Sequence, residues 1–259
     1  MTQVKMHIGT QGFSYKDWQG NFYPQFISQK DFLRFYSSRF KTVEIDMTFY
    51  RIPTVETVTK WAATTPDDFV FTAKFPQTVT HEGGIESRLD DARAFIQVMR
   101  AMGAKLGPLL LQFPYGFKPD REDILLQLIA AMPDDLRVAV ELRNRTWLEV
   151  DSVFDRMREK NIALCLIDHP WMPRLTTRTA DFVYIRFLGD RKKIEDDFSY
   201  IRNDREEELN WWKGLIDEVA AEKRDLYAYF NNHYSGHAPS TAWRLMEKLG
   251  IEPSQSGGY

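Results

Sequence analysis

The segment GPLLLQFPYGFKPDREDILLQLIAAMPDDLRVAVEL, residues 107–142, decides the fold. It opens on a short apolar run, GPLLLQF (107–113), of strand length and strand composition. A helix pattern follows near 121–131 and must stop before Pro133-Asp134-Asp135. A second apolar run, RVAVEL (137–142), comes directly after. Strand, helix and strand in that order form a right-handed crossover whose two strands lie parallel.

The same alternation extends in both directions. Strand-like runs recur at MHIG (6–9), TVEID (42–46), FVFTAK (69–74), IALCLID (162–168), FVYIRF (182–187) and LYAYFN (226–231). Helix patterns fall near 29–39, 55–63, 90–102, 149–160, 205–221 and 238–249. Pro66-Asp67-Asp68 repeats the stop signal before the third strand. Gly103 after Met102 and Asn161 after Lys160 are the residue types that best tolerate a left-handed helix stop. Eight strands in a chain of this length fit a (β/α)₈ TIM barrel, typically ~250 residues. A doubly wound open sheet is the competitor, but Gly9-Thr10-Gln11-Gly12 lacks its glycine-rich phosphate spacing. The expectation is an α/β protein with a single barrel domain over 1–250 and a flexible tail over 251–259. Two places break the pattern: an irregular stretch at 169–181 after strand six, and a charged insertion at 188–204 after strand seven.

Composition narrows the class. The 259 residues are 43% hydrophobic and 27% charged with a net charge of -3, which excludes a disordered chain. The balance gives no global pull toward nucleic acid or anionic membrane. No apolar stretch approaches a membrane span, the start lacks a secretory signal, and Cys165 is a single thiol, so the expected location is cytoplasmic. Aromatics are in excess, with 7 Trp, 11 Tyr and 18 Phe, and many fall at or beyond strand ends.

Strand parity points to a site. A charge facing the helix layer is costly unless paired, so charges near strand ends should face inward or toward the barrel mouth. That places Glu44, Asp46, Lys74, Gln112, Glu141, Arg143, Asp168, Arg186 and Asn231 around one mouth, where TIM barrels build active sites. Long loops would cover it and carry His81, His169, His233 and His237. His7 lies at the opposite end and is expected to be structural. Glu141, Asp168 and histidines could hold a divalent metal, although no H-E-x-x-H or C-x-x-C spacing occurs. No nucleotide-cofactor motif is present, so the cofactor stays unassigned.

Seven ordered segments carry a family resemblance: IGTQGFSYKDWQGNFYP, FKTVEIDMTFYRIP, FTAKFPQTVTHE, KLGPLLLQFP, VAVELRNRTW, DFVYIRF and YFNNHYSGHAP. Together they resemble the YecE-like family, the domain of unknown function numbered 72, from about residue 6 to about 249. The resemblance implies a TIM barrel and supplies no established reaction. Positions matching the family pattern include Trp18, Glu44, Tyr50, Lys74, His81, Gln112, Glu141, Arg143, Trp147, Asp168, Arg186, Asn231 and Asn232. Asp46 stands where Asn is more usual, and Leu188 stands where a His is often found.

The functional expectation is an enzyme acting on a small anionic, sugar- or nucleotide-like ligand. Glu141, Asp168, Lys74 and His81 are the candidate catalytic residues. Arg143, Arg186, Gln112, Asn231, Asn232, Asp46, Tyr50, Trp18 and Trp147 are the candidate ligand-binding residues. The alternatives are a metal-dependent phosphodiester hydrolase acting on nucleic acid and a non-catalytic ligand-binding protein. No membrane partner is expected.

Overall fold

A computed structural model describes residues 4–252; of the tail expected over 251–259, Pro253 onward lies outside the described residues, and the Ile251 amide donates to the Met246 carbonyl at 2.9 Å. Eight parallel strands close in sequence order: β1 (Met6–Gln11), β2 (Thr42–Ile45), β3 (Val70–Lys74), β4 (Leu106–Gln112), β5 (Val138–Glu141), β6 (Ala163–Asp168), β7 (Phe182–Phe187) and β8 (Asp225–Phe230). Closure is direct, since β1 pairs with β2 on one side and β8 on the other, with Met6 opposite Leu226 and Thr10 opposite Phe230. A single (β/α)₈ barrel results.

The helices are α1 (Phe32–Arg39), α2 (Val55–Thr64), α3 (Gln77–Thr80), α4 (Ile85–Met99), α5 (Glu122–Ala131), α6 (Asp151–Glu159), α7 (Glu206–Ala221), α8 (Asn232–Ser235) and α9 (Ala238–Lys248). Helix α4 begins a turn earlier than its apolar pattern indicates, with Glu86 in a first turn where negative charge meets free N–H groups. It gives way at Arg100 to a 3₁₀ stretch, Arg100–Lys105, that kinks at Gly103 with φ 57° and ψ -131°, a positive φ open to glycine. Asn161 takes φ 51° just beyond α6, the positive φ that Asn tolerates at a helix stop. No helix separates β6 from β7. There Thr179 braces the strand, its Oγ1 donating to the Ile162 carbonyl and accepting from the Leu164 amide, both at 2.7 Å.

Period-two alternation sorts each strand into two cores. Val43, Ile45, Leu109, Leu111, Val138, Val140, Leu164, Leu166, Val183 and Ile185 face the helices. Leu110, Ala139, Cys165, Ile167, Tyr184, Tyr227 and Tyr229 fill the barrel interior. Burial raises the Cys165 thiol well above its ordinary value, as expected of an inert core cysteine. His7 stacks on Tyr227 at 4.8 Å near the N-terminal end of the barrel, and burial pulls its pKa down to about 4.

Part of the aromatic excess extends the helix-side core beneath the loops. Tyr23 stacks on Phe32 at 4.1 Å, Phe113 on Phe117 at 4.3 Å, and Phe117 on Trp147 at 5.3 Å. A long βα loop cannot stay in place without an apolar interior of its own. The 188–204 insertion is anchored to the loop after β1, with the Asn21 amide donating to the Ser199 carbonyl at 2.6 Å and the Phe198 amide to Asp17 at 3.1 Å.

Barrel closure leaves no room at Gly9, where an added Cβ would sit 2.3 Å from the Thr42 carbonyl oxygen. Gly9→Ala should therefore cost about 1–3 kcal/mol of stability in urea unfolding. Gly116→Ala, at a position with open space, should stay within about 0.5 kcal/mol of wild type.

Candidate functional site at the barrel mouth

The floor of the mouth is one buried guanidinium. Arg186, near the end of β7, donates from Nε to Glu44 at 3.0 Å and from Nη2 to the same carboxylate at 2.7 Å. Its Nη1 donates to Glu141 at 2.6 Å, and Nη2 also reaches Asp46 at 3.3 Å. Four of its five N–H donors thus end on carboxylates from β2, the turn after β2, and β5. Below it the Tyr184 hydroxyl donates to Glu44 at 2.6 Å. Arg143, which follows β5, adds Nε to Glu141 at 2.5 Å.

These contacts set the charges. Burial pushes the Glu141 carboxyl up, but the Arg143 and Arg186 guanidiniums outweigh it and hold it at about 2. Burial pushes Glu44 up to about 7 against the pull of Arg186. Arg186 itself stays protonated.

Lys74, at the end of β3, is different. Its side chain is buried, and Nζ lies 3.6 Å from the centroid of the Phe49 ring. Among the described residues Nζ makes no hydrogen bond and has no carboxylate within 4.0 Å. Burial and the charges of Arg186 and Arg143 lower its pKa to about 8. His81 meets the same Phe49 ring edge-on at 5.0 Å, with Nδ1 2.7 Å from the Thr80 hydroxyl. Burial, Lys74 and Arg143 lower its pKa to about 4, so its imidazole is neutral at pH 7.

Above this floor opens a cleft of about 430 Å³ lined by Asp46, Phe49, Tyr50, Lys74, His81, Gln112, Arg143, His169, Trp171, Arg186, Arg191, Lys192 and Asn231, among others. Two smaller pockets share walls with it. One of about 170 Å³ extends past Arg143 and His169 to Tyr115 and Met172. The other, of about 350 Å³, passes Asp46, Tyr50 and Asn231 to Phe13, Tyr15, Phe198 and Asn232. Together they form a groove across the mouth, acidic only at Asp46 and Asp190 and basic at Lys74, Arg143, Arg191 and Lys192.

Several expected roles change in the structure. Asp168 faces the helix layer, not the lumen: its Oδ2 accepts from the Trp212 indole at 2.6 Å and the Tyr234 hydroxyl at 3.0 Å. The parity argument fails there because a buried charge with its own donors tolerates the helix side. Glu141 and Asp168 thus stand on opposite faces of the sheet and form no joint metal site. No group of three or more metal-ligating side chains is gathered among the described residues. Arg186 commits four of its five N–H donors to carboxylates, so it serves mainly as scaffold and little of it is left to clamp an anion. Trp18 and Trp147 are fully buried, with indoles donating to Asn232 at 3.1 Å and to the Phe117 carbonyl at 2.7 Å, so neither stacks on a ligand. Asn232 engages its Oδ1 as the acceptor for Trp18 and for the Ala238 amide, while its buried amide nitrogen has no partner beside the 350 Å³ pocket. Asn231 caps α8 through the His233 amide while its own amide donates to Gln11 at 2.9 Å. Of the four loop histidines, His81 and His169 line the main cleft, and His233 lines only the 350 Å³ pocket. His237 is buried and caps α9.

A family profile described as "Protein of unknown function DUF72" matches residues 7–257. The chain belongs to the DUF72 family. A DUF72 protein of known structure from Thermotoga maritima is 28% identical and superposes with a TM-score of 0.79, covering 95% of this chain and 99% of that one. The UPF0759 protein YunF of Bacillus subtilis is 26% identical over 96% of both chains. The UPF0759 protein YecE of Escherichia coli is 31% identical over 42% of this chain and 40% of its own. A D-psicose 3-epimerase superposes with a TM-score of 0.51 at 9% identity, a likeness of fold alone. No described helix is long and apolar enough to cross a membrane.

The mouth also holds residues outside the expected catalytic and ligand-binding sets, two of them, Phe49 and Trp171, from the strand-end aromatics. Phe49 carries the Lys74 ammonium, and Trp171, Arg191 and Lys192 line the cleft. The charged run at 188–204 was a visible signal; its position over the mouth was not.

The Arg186 network gives a stability test. Glu141→Gln removes one partner of a buried pair and should cost about 3–5 kcal/mol. The Glu141 carboxyl is depressed from its ordinary 4.5 to about 2, so its contribution is complete above pH 4.5 and is lost as pH falls toward 2. Glu44 is raised and acts oppositely, its contribution declining as pH rises from 4.5 through about 7. Between pH 4.5 and 2 the wild-type unfolding free energy should fall more steeply than that of E141Q, as read by urea titrations across that range.

Proposed function

We propose that this chain is an enzyme acting by acid–base chemistry on a small anionic, sugar- or nucleotide-like ligand at the C-terminal mouth of the barrel. The observation that carries the reading is Lys74, a largely buried side chain whose ammonium has no carboxylate partner and opens on a 430 Å³ cleft beside Arg143. An unpaired buried charge is costly, and an anion arriving from solvent would relieve it. Arg143 keeps part of its guanidinium free, since the contact to Glu141 uses Nε and its side chain is 37% exposed.

The proton-handling roles narrow accordingly. Glu141 is fully ionised and held by two guanidiniums, so it is a weak base that fixes Arg143 in place. Asp168 lies outside the cleft. Lys74 and His81 are left as the groups able to give or take a proton at a bound ligand. Tyr50, Tyr115 and Trp171 are exposed at the rim and suit stacking on a sugar or base.

Titration with inorganic phosphate, ribose 5-phosphate and AMP, followed by calorimetry, tests the reading. At least one should bind in a manner abolished by Lys74→Met and unaffected by Lys60→Met on the exposed face of α2. Affinity should fall as pH rises through about 8, where the ammonium is lost. Binding that is indifferent to both Lys74 and pH would refute the assignment.

A further inference from the structure

The anion-site reading leaves one group with more capacity than charge alone requires. Lys74 is enclosed at the end of a barrel strand, its Nζ set 3.6 Å over the Phe49 ring. Every carboxylate near it is engaged elsewhere: Glu141 by Arg143 and Arg186, and Asp46 by Arg186. The facing groups from the neighbouring strands are therefore two guanidiniums, their carboxylates, and the neutral His81. A lysine that is desolvated next to cations, and has no salt bridge to hold its proton, is the arrangement in which an amine becomes a nucleophile.

We propose that Lys74 forms an imine with a small carbonyl compound that carries a carboxylate or phosphate, the anionic group resting against Arg143. The proposal rests on the anion-site reading and deepens it by naming the reacting bond. The Nζ lone pair adds to the carbonyl carbon, and one amine proton passes to the carbonyl oxygen, giving a carbinolamine. A second proton, taken from solvent and passed on by the neutral His81 imidazole, then reaches that oxygen, and the C–O bond breaks with loss of water. The nitrogen keeps one proton and the positive charge as the C=N bond forms. No oxidant or reductant is consumed.

Two features favour the step here. The imine nitrogen stays positive, so the face of Phe49 that holds the ammonium also holds the product. At pH 8 about half of Lys74 is the free amine, against well under ~1% of an ordinary lysine of pKa ~10.4.

The test uses the full chain with two probes, pyridoxal 5′-phosphate as an anionic aldehyde and pyruvate as an oxo acid, each followed by borohydride. Reduction delivers hydride to the imine carbon and fixes a secondary amine. The expected result is one adduct per chain at substoichiometric probe, placed on Lys74 by peptide mass spectrometry. It should disappear in Lys74→Arg and be suppressed by inorganic phosphate. Mapping the adduct in wild type keeps the test independent of whether a variant folds. Adducts scattered over surface lysines, or no adduct with either probe, would overturn the imine. Phosphate binding measured in the same samples separates the two ideas: Lys74-dependent binding without an adduct removes the imine and leaves the anion site, whereas loss of both removes both.

Discussion

The mouth of this barrel is organised around the Arg186 guanidinium. One planar cation ties a carboxylate from β2, one from the turn after β2 and one from β5 to the end of β7. Those attachment points surround the interior, so the network braces the barrel across its bore and not only along neighbouring strands. A hydrophobic plug of the same volume would satisfy stability as well or better. An ionic plug instead fixes where each charge points, and it leaves the next layer up with a defined electrostatic setting.

That setting explains Lys74. Arg186 and Arg143 between them engage the carboxylates of Glu44, Asp46 and Glu141. Lys74 sits beside this cluster without touching a carboxylate. Its proton is held by the net field alone, which is weaker than a direct ion pair, and burial pulls the pKa down. A lysine paired to Glu141 would be a strut. Because Arg186 and Arg143 occupy Glu141 first, Lys74 is left without a carboxylate partner.

The barrel was legible from sequence because eight short apolar runs alternating with amphipathic segments admit few topologies, and each lies within a residue or two of its strand. The site was only half legible, and the reason is local. On β2 and β3, polar residues alternate with apolar ones, so the phase of Glu44, Thr72 and Lys74 can be read directly. IALCLID carries apolar residues on both faces, and its phase is visible only once Cys165 and Ile167 are seen inside the barrel. Asp168 then falls on the helix side, where Trp212, 44 positions later, supplies the donor that makes the placement affordable. Trp18 and Trp147 show the same limit. A loop aromatic that packs under its own loop and one that lines a ligand cleft have the same local sequence, and only the long-range fold separates them.

The position of Phe49 ties the layers together. The 3₁₀ turn Met47–Phe49 that presents it is fastened by Thr48, whose hydroxyl donates to the Lys74 carbonyl at 2.6 Å. The turn after β2 is therefore locked to the end of β3 through the backbone of the lysine it serves. The backbone that carries the Phe49 ring and the backbone that carries the Lys74 ammonium are thus held in a fixed relation. His81 meets the same ring edge-on. The amine and the imidazole are thus set against one aromatic side chain, so the turn after β2 and the segment after β3 share a single point of contact at the floor of the cleft.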